Sequence, residues 1–131
     1  MITLEVNSRQ REEFIDISAQ VRQAIRNAGV NRGIACLHVP HTTAAVTINE
    51  NADPDVLHDL LLGLERLAPR DAGYRHAEGN SDAHIKSSLL GVDQTLLVEN
   101  GEPVLGTWQG IYFCEFDGPR RRRLHIRILE K

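Results

Sequence analysis

The sequence has little of several features that would define a function at once. Aromatic residues make up only 5% of its 131 residues and the net charge is −3, which together argue against a nucleic-acid-binding protein. No apolar run approaches the roughly 20 residues that a membrane-spanning helix needs. The first residues have neither the basic start nor the apolar run of a signal peptide. We therefore expect a cytoplasmic protein without nucleic-acid or membrane partners.

Cysteine is also scarce, and no glycine-rich phosphate loop of the P-loop type is present. Cys36 and Cys114 lie in apolar segments typical of strands, and a cytosolic chain keeps such thiols reduced. We interpret both as small core residues, with an interstrand disulfide as the less favoured alternative. No repeat, linker or low-complexity segment divides the chain, and its length predicts one domain over residues 1–131.

An ordered series of strand and helix patterns fills this length. One predicted helix is capped by Ser18 and ends at Gly29. A second begins at Asp53, Pro54 and Asp55, which combine an N-cap, a first-turn proline and an acidic first turn. Alternating or continuous apolar residues predict strands over 2–6, 14–17, 33–39, 42–50, 94–98, 111–116 and 123–128.

The most unusual segment covers residues 75–91, which carry many ligand-type and acid–base side chains and little apolar material. Such a segment is expected on a surface or in a cleft whose walls come from elsewhere in the chain. Its second half predicts a short helix with Ser81 or Asp82 as N-cap. Ile85 and Leu89, four positions apart, are predicted to face the core. The alternative is a polar loop before an ordinary capped helix.

His84 falls in the first turn of this predicted helix, and Gly91 is placed to end the helix in the left-handed conformation. The positive end of the helix dipole favours the neutral imidazole, which is the form that binds a metal. The same end can also receive an anion such as phosphate. The residues alone do not choose between these two uses.

Two further features are open to a functional or a structural interpretation. His41 follows Pro40 just before a predicted strand, where functional loops often lie, although a lone histidine is more often structural. The run Arg120 to Arg123 can bind phosphate or an acidic patch of a neighbouring subunit, although most such runs are solvated turn charges.

Five motifs resemble, in order and spacing, those of the YjbQ family, and together they cover nearly the whole chain: His41 to Ala44, Asn49 to Asp55, Glu78 to Asn80, Ala83 to Leu89 and Leu105 to Ile111. The resemblance implies an α+β fold, with a mixed β-sheet or sandwich covered by helices in a single YjbQ-like domain. It also implies a homotrimer. Some members of the family are named secondary thiamine-phosphate synthases, which are transferases.

The resemblance further implies a polar cleft that holds a divalent metal ion, zinc or magnesium. A catalytic metal site needs about three imidazole or carboxylate ligands and an open position for substrate. His41, His76 and His84 are the predicted ligands, while the role of His125 stays open. The complete cleft would be formed by His41, Asn49, Glu50, His76, Asn80, His84 and Gln109.

The predicted catalytic residues follow from the same cleft. Glu50 is the expected general base because it follows a strand, a rigid element, and Glu78 is the alternative. A structural role for Glu50 in the turn before residue 53 is about as well supported. Asn49 and Gln109 are expected to donate hydrogen bonds to substrate, and Lys86 to pair with phosphate.

Two classes of function follow from these residues. The first is a metal-dependent enzyme that acts on a small phosphorylated or heterocyclic metabolite, with secondary thiamine-phosphate synthase as the implied activity. Joining a pyrimidine diphosphate to a thiazole phosphate requires that the charge of the leaving diphosphate be neutralised. The second is a non-catalytic trimeric protein that binds a metabolite or a metal.

Overall fold

The computed structural model describes residues 1–131, which form eight strands and three helices. The elements in chain order are β1 (Ile2–Asn7), β2 (Glu13–Asp16), α1 (Ser18–Ala28), β3 (Gly33–His38), β4 (Ala44–Glu50), α2 (Pro54–Leu67), α3 (Ser81–Leu90), β5 (Asp93–Glu99), β6 (Glu102–Pro103), β7 (Gln109–Glu115) and β8 (Arg121–Glu130). None of the three helices is long and apolar enough to cross a membrane.

The strands form two sheets, and every strand pair is antiparallel. The five-stranded sheet has the order β1-β8-β3-β5-β6, and the three-stranded sheet has the order β2-β7-β4. The predicted α+β fold, in its sandwich form, is confirmed. The Asn100–Gly101 pair, a sequence typical of tight hairpin turns, joins β5 to the short strand β6, and Asn100 has a φ of 53°.

Two hydrophobic clusters hold the layers together. The larger cluster joins the inner faces of both sheets to α1, and its centre includes Ile25, Leu37 and Phe113. The smaller cluster joins the opposite face of the three-stranded sheet to the two later helices through Leu64 and Ala83. No outward-pointing side chain on the other face of the five-stranded sheet is fully buried. That outer face therefore has no helix covering it.

The ends of α1 and α2 show which of the predicted helix caps are present in the structure. Gly29 adopts the predicted left-handed conformation, with a φ of 69°. Asp53 caps α2 as predicted, since its carboxylate accepts a hydrogen bond from the Asp55 amide at 2.9 Å. Ser18 does not cap α1, because the hydroxyl accepts a hydrogen bond from the amide of Ile111 on β7 instead. A contact between distant parts of the chain replaces the local one.

The orientation predicted for α3 was wrong. Ile85 and Leu89 point outward, with exposed fractions of 37% and 56%, while Asp82 and Lys86 are buried. The N-cap position belongs to Asn80 rather than to residue 81 or 82, and no side chain caps the first turn. Gly91 has a positive φ of 91°, but its ψ of 160° is extended rather than left-handed helical. The polar face of α3 is therefore the face that packs against the protein.

Both cysteines are free, as predicted for a reduced chain. Cys114 is a buried core residue, and burial raises the pKa of its thiol. Cys36 is not a core residue: it is half-buried on the outer face of the five-stranded sheet. The two thiols belong to different sheets, so the interstrand disulfide left open above does not form.

Candidate functional site

A basic cleft with a volume of about 430 Å³ opens at one end of the five-stranded sheet, within the range of small-molecule sites. Strands β1 and β8 bring Glu5 opposite Arg123, and the loop before β4 adds His41. Because side chains alternate along a strand, Arg121 and Arg123 share the outer face while their neighbours point inward. No hydrophobic side chain lines the cleft, which is formed by Glu5, Pro40, His41, Arg121, Arg122, Arg123 and His125.

The guanidinium groups at this cleft are not equivalent. Arg121 is 89% exposed and lies 4.0 Å from the Glu5 carboxylate, too far for a hydrogen bond. The side chain of Arg123 is exposed and makes no hydrogen bond or ion pair. Arg122, in contrast, is buried and donates from Nε to Glu115 Oε1 at 2.9 Å. Arg123 has no ion pair and Arg121 has only a long, exposed one with Glu5. Both can therefore bind an anion, whereas Arg122 is part of the protein framework.

The Arg122–Glu115 pair is a buried, fully bonded ion pair behind the cleft. Ser8 donates its hydroxyl to the same carboxylate at 2.6 Å, and Arg122 also donates to the Thr43 hydroxyl at 2.8 Å. Burial alone would raise the pKa of Glu115, but the hydrogen bonds from Arg122 and Ser8 outweigh it and lower the pKa below its usual range. The pair fixes the backbone of β8 beneath the free arginines.

His41 is held as a neutral imidazole at the edge of the cleft. Its Nε2 accepts a hydrogen bond from the Arg123 backbone amide at 3.0 Å, which places the ring proton on Nδ1. Partial burial lowers the pKa of His41, and the positive charge of Arg122 lowers it further. With Nε2 used as an acceptor and Nδ1 protonated, neither nitrogen offers a lone pair to a metal in this arrangement. The N–H of Nδ1 is instead a potential donor to an anion.

A second group of predicted site residues gathers at the start of α3. The rings of His76 and His84 meet edge to face, with centroids 5.4 Å apart. Glu78 approaches His76, with 3.9 Å between carboxylate oxygen and Nε2. Asn80 donates to Asp117 at 2.8 Å, and its Oδ1 is the one buried side-chain polar atom without a hydrogen-bond partner. Two imidazoles and a carboxylate thus lie together where the exposed loop of His76 and Glu78 meets the first turn of α3.

Lys86 lies inside the protein. Its ammonium group is 1% exposed and donates to Glu12 at 2.7 Å, Glu65 at 2.8 Å and Asp82 at 3.3 Å. These carboxylates are the one group of three metal-type ligand residues with mutual distances below 4.8 Å. Burial alone would lower the pKa of Lys86, but the hydrogen bonds to Glu12 and Glu65 raise it. The ammonium occupies the position of a cation and uses all three of its donors, which leaves none for phosphate.

The remaining predicted residues lie at the far end of β4. Asn49 and Glu50 are the last two residues of the seven-residue strand β4, roughly 20 Å from its first residue at the usual rise per residue. Asn49 accepts a hydrogen bond from the Glu50 amide at 2.7 Å, and Gln109 accepts one from the Gly106 amide at 2.8 Å. Both side-chain oxygens are therefore bonded to nearby backbone.

Apart from Lys86, which lies inside the protein, the predicted site residues fall within one chain into three places. His76 and His84 come together, His41 lies in the basic cleft, and Glu50 lies with its two amide neighbours at the opposite end of β4. The solvated charges that the sequence favoured for the arginine run agree with the exposure of Arg121 and Arg123, but not with the burial of Arg122. The signal that identifies them is the period of two in a strand, which separates Arg121 and Arg123 from their buried neighbour.

A larger apolar groove, of about 490 Å³, runs between β1 and α1. Ile2, Leu4 and Ala24 line it together with the uncharged amides of Gln20 and Gln23. It contains no titratable group that could bind a charged ligand or transfer a proton. This groove is therefore not a candidate for charged-ligand or proton-transfer chemistry.

The fold and these sites define a small α+β sandwich protein with a polar, histidine- and arginine-lined surface. The family model described as UPF0047 protein YjbQ-like matches residues 2–131. The chain is 53% identical over 125 residues to a UPF0047 protein of Methanocaldococcus jannaschii, covering 95% of this chain and 91% of that protein. It is 49% identical to the UPF0047 protein YugU of Bacillus subtilis, covering 97% of each. The chain therefore belongs to the UPF0047 family of YjbQ-like proteins.

Solved structures of relatives have the same fold. A YjbQ/UPF0047 family protein of Clostridium acetobutylicum superposes with a TM-score of 0.96 at 50% identity, covering 98% of this chain and 100% of that one. A YbjQ-like protein of unknown function from Sulfolobus solfataricus gives a TM-score of 0.95 at 31% identity, covering 99% and 96%. The resemblance deduced from the motifs is confirmed.

Proposed function

We propose that the protein is an enzyme that binds a small phosphorylated metabolite in the basic cleft. The observation that carries the proposal is the pair of exposed guanidinium groups of Arg121 and Arg123, neither of which makes a side-chain hydrogen bond, beside the neutral ring of His41. Guanidinium groups bind phosphate through charge-assisted, often bidentate hydrogen bonds. The Nδ1–H of His41 supplies a further donor. Glu5 is the single carboxylate in the lining and gives the cleft a place for a positively charged or N–H group of the same ligand.

Thiamine-phosphate formation is the specific activity that we propose to test. In that reaction a diphosphate leaves the pyrimidine, and the thiazole phosphate provides a second anionic group. Arg121 and Arg123 can neutralise one of these anions without a proton transfer. They take the phosphate-binding role that the sequence suggested for Lys86, whose donors are all used by carboxylates.

Binding is tested by calorimetric titration with inorganic phosphate and with diphosphate. Arg121→Ala combined with Arg123→Ala should weaken binding by about tenfold or more, since each hydrogen bond to a charged group contributes about 1.5–3 kcal/mol. Arg66→Ala is the matched control, because Arg66 is exposed on α2 and makes no ion pair. Equal affinity in the wild type and the double variant would rule out the cleft as the anion site.

Catalysis is tested separately with the pyrimidine diphosphate and the thiazole phosphate as substrates. Product formation above a metal-only blank, lost in the double arginine variant, supports the enzyme. Phosphate binding without any product supports the alternative function, a trimeric protein that binds a metabolite without converting it.

A second candidate is a divalent metal ion, zinc or magnesium, held at the start of α3. The observation that favours it is the approach of His76 and His84, with the carboxylate of Glu78 beside them. Imidazole nitrogens suit zinc better than magnesium, which prefers oxygen ligands. His41 could complete this set only from another subunit and with its hydrogen bond to Arg123 broken. Elemental analysis of wild type and His84→Ala tests the candidate, and equal metal content in the two proteins would remove His84 as a ligand.

A further inference from the structure

A row of polar side chains crosses the uncovered face of the five-stranded sheet, and one of its members, His125, also lines the basic cleft. His38 on β3 lies directly opposite His125 on β8 and directly opposite Asp93 on β5. On its other side His125 lies opposite Thr3 on β1. Residues directly opposite one another in antiparallel strands point to the same face. The order across the sheet is therefore Asp93, His38, His125 and Thr3.

The two imidazoles at the centre of the row are close and nearly parallel. Their ring centroids are 6.4 Å apart and their planes differ by 11°. Nδ1 of His125 is hydrogen-bonded to the Thr3 hydroxyl at 2.9 Å, which fixes the ring and leaves Nε2 free. The His38 side chain is exposed and makes no hydrogen bond, so its rotation can bring a nitrogen nearer to His125 without breaking a contact.

A thiol lies beside this pair. Cys36 is two residues before His38 on the same strand, so its side chain points to the same face. It is a free cysteine, half-buried, and is separated from the core by the sheet. The inner face of β3 is formed by Ala35 and Leu37, both completely buried. The packing of the core therefore does not explain a cysteine at this position.

We propose that Cys36, His38 and His125 form a binding site for a transition-metal ion of the zinc class. Their ligand atoms do not all lie within 4.8 Å of one another in this structure, so binding requires the free His38 side chain to rotate. Thiolate and imidazole are the ligands that Zn²⁺ prefers, at about 2.3 Å and 2.0–2.1 Å. Three protein ligands leave a fourth position open for water or an anion. The outer members of the row, Thr3 and Asp93, lie where the orienting groups of metal-bound histidines are found.

This site is independent of the proposed function, although it adjoins the basic cleft. It uses neither the two free arginines nor the histidines at the start of α3. His125 also lines the basic cleft, so a bound cation would add positive charge at its edge. A metal ion here and a phosphate in the cleft would stabilise each other, whereas failure of either site leaves the other intact.

The experiment is a titration of chelator-treated, full-length protein with Co²⁺, a spectroscopic substitute for Zn²⁺. In the His84→Gln background, which removes a ligand of the other candidate metal group, we expect saturation at one ion per chain, visible ligand-field bands and a near-ultraviolet thiolate-to-cobalt band. His38→Gln and His125→Gln should each weaken binding by tenfold or more, and Cys36→Ser should abolish the thiolate band. Thr3→Val removes the orienting hydroxyl and should weaken binding by about tenfold. Circular dichroism confirms that each variant is folded.

The control is His58→Gln, because His58 is exposed on α2 and bonded only to its neighbour Asp59. This change should not alter the cobalt spectrum or affinity. His84→Gln serves as the background for all variants, because His84 belongs to the other candidate metal group. The proposal is overturned if the protein in this background shows no saturable cobalt spectrum, if the His38 and His125 variants bind as their parent does, or if the bound cobalt has no thiolate band.

Discussion

At the scale of single residues, the four-arginine run shows that neighbouring identical side chains have separate roles. Arg120 is bonded to Asp117, and Arg122 is buried against Glu115. Arg121 and Arg123 project from the opposite face of the strand and are exposed, and neither makes a side-chain hydrogen bond. A charge count over the run cannot separate these roles, because the distinction comes from strand geometry and from a carboxylate on another sheet.

Replacing Glu115 by glutamine should destabilise the protein by about 3 kcal/mol or more, because Arg122 would remain buried without a counter-charge. Chemical denaturation measures the change in the free energy of unfolding. Glu130→Gln is the control, since Glu130 is exposed and makes no ion pair. A loss below about 1 kcal/mol for Glu115→Gln would mean that the pair contributes as little as a surface salt bridge.

His41 should titrate below the ordinary histidine value of about 6.5, since burial and the nearby arginines disfavour its cation. As the pH falls through 6.5, the unfolded chain takes up this proton before the folded chain does. The stability contributed by neutral His41 is therefore lost as the pH falls below 6.5. NMR titration of the His41 ring, assigned with His41→Gln, measures its pKa. Added phosphate should raise that pKa, and a midpoint at or above 6.5 without phosphate would contradict the environment described.

At the scale of the elements, the sequence predicted where most helices and strands lie and misjudged which way one of them faces. Asp53 and Gly29 contact only residues within one helical turn, so the helix ends that they form can be predicted from the sequence. The face of α3 depends on Glu12 and Glu65, which are 74 and 21 residues from Lys86. A helix buries apolar side chains by default, and only these distant carboxylates make burial of its polar side favourable. The positions of the candidate site residues also depend on contacts between distant parts of the chain. Their division into three places could therefore not be predicted from the sequence.

The apolar pattern of α3 suggests that replacing Ile85 destabilises the protein more than replacing Asp82 does. The structure predicts the reverse. Ile85→Gln should change stability by less than about 0.5 kcal/mol, as is usual at exposed positions. Asp82→Asn should cost about 2 kcal/mol or more, because Lys86 and Arg11 both lose a buried counter-charge. Thermal and denaturant unfolding compare the two variants. A larger loss of stability for Ile85→Gln than for Asp82→Asn would support the predicted orientation, in which Ile85 faces the core.

At the scale of the whole molecule, the uncovered sheet face contains an apolar patch as well as the polar row. Ile34 lies opposite Leu97 on one side and Leu129 on the other, and these two are 61% and 55% exposed. Three adjacent apolar side chains on an open sheet are typical of an interface between subunits. This patch is where we expect the predicted homotrimer to form.

Light scattering at micromolar concentration should give about three times the chain mass of 14.7 kDa. Leu97→Lys should reduce that mass to the monomer, because a charge would be buried without a partner in the interface. Leu62→Lys on α2, also an exposed leucine, should leave the trimer intact. A monomeric wild type would contradict the assembly, and a trimeric Leu97→Lys variant would place the interface elsewhere.

The buried ammonium of Lys86 also allows the detachment of α3 to be followed by chemical labelling. The chain has only two lysines, and the other is the terminal residue Lys131. An amine-reactive label should therefore modify the folded protein quickly at Lys131 and at the α-amino group. A third label requires α3 to move away from α2 and from the loop that carries Glu12. The rate at which the third label appears in mass spectrometry therefore measures the detachment of α3.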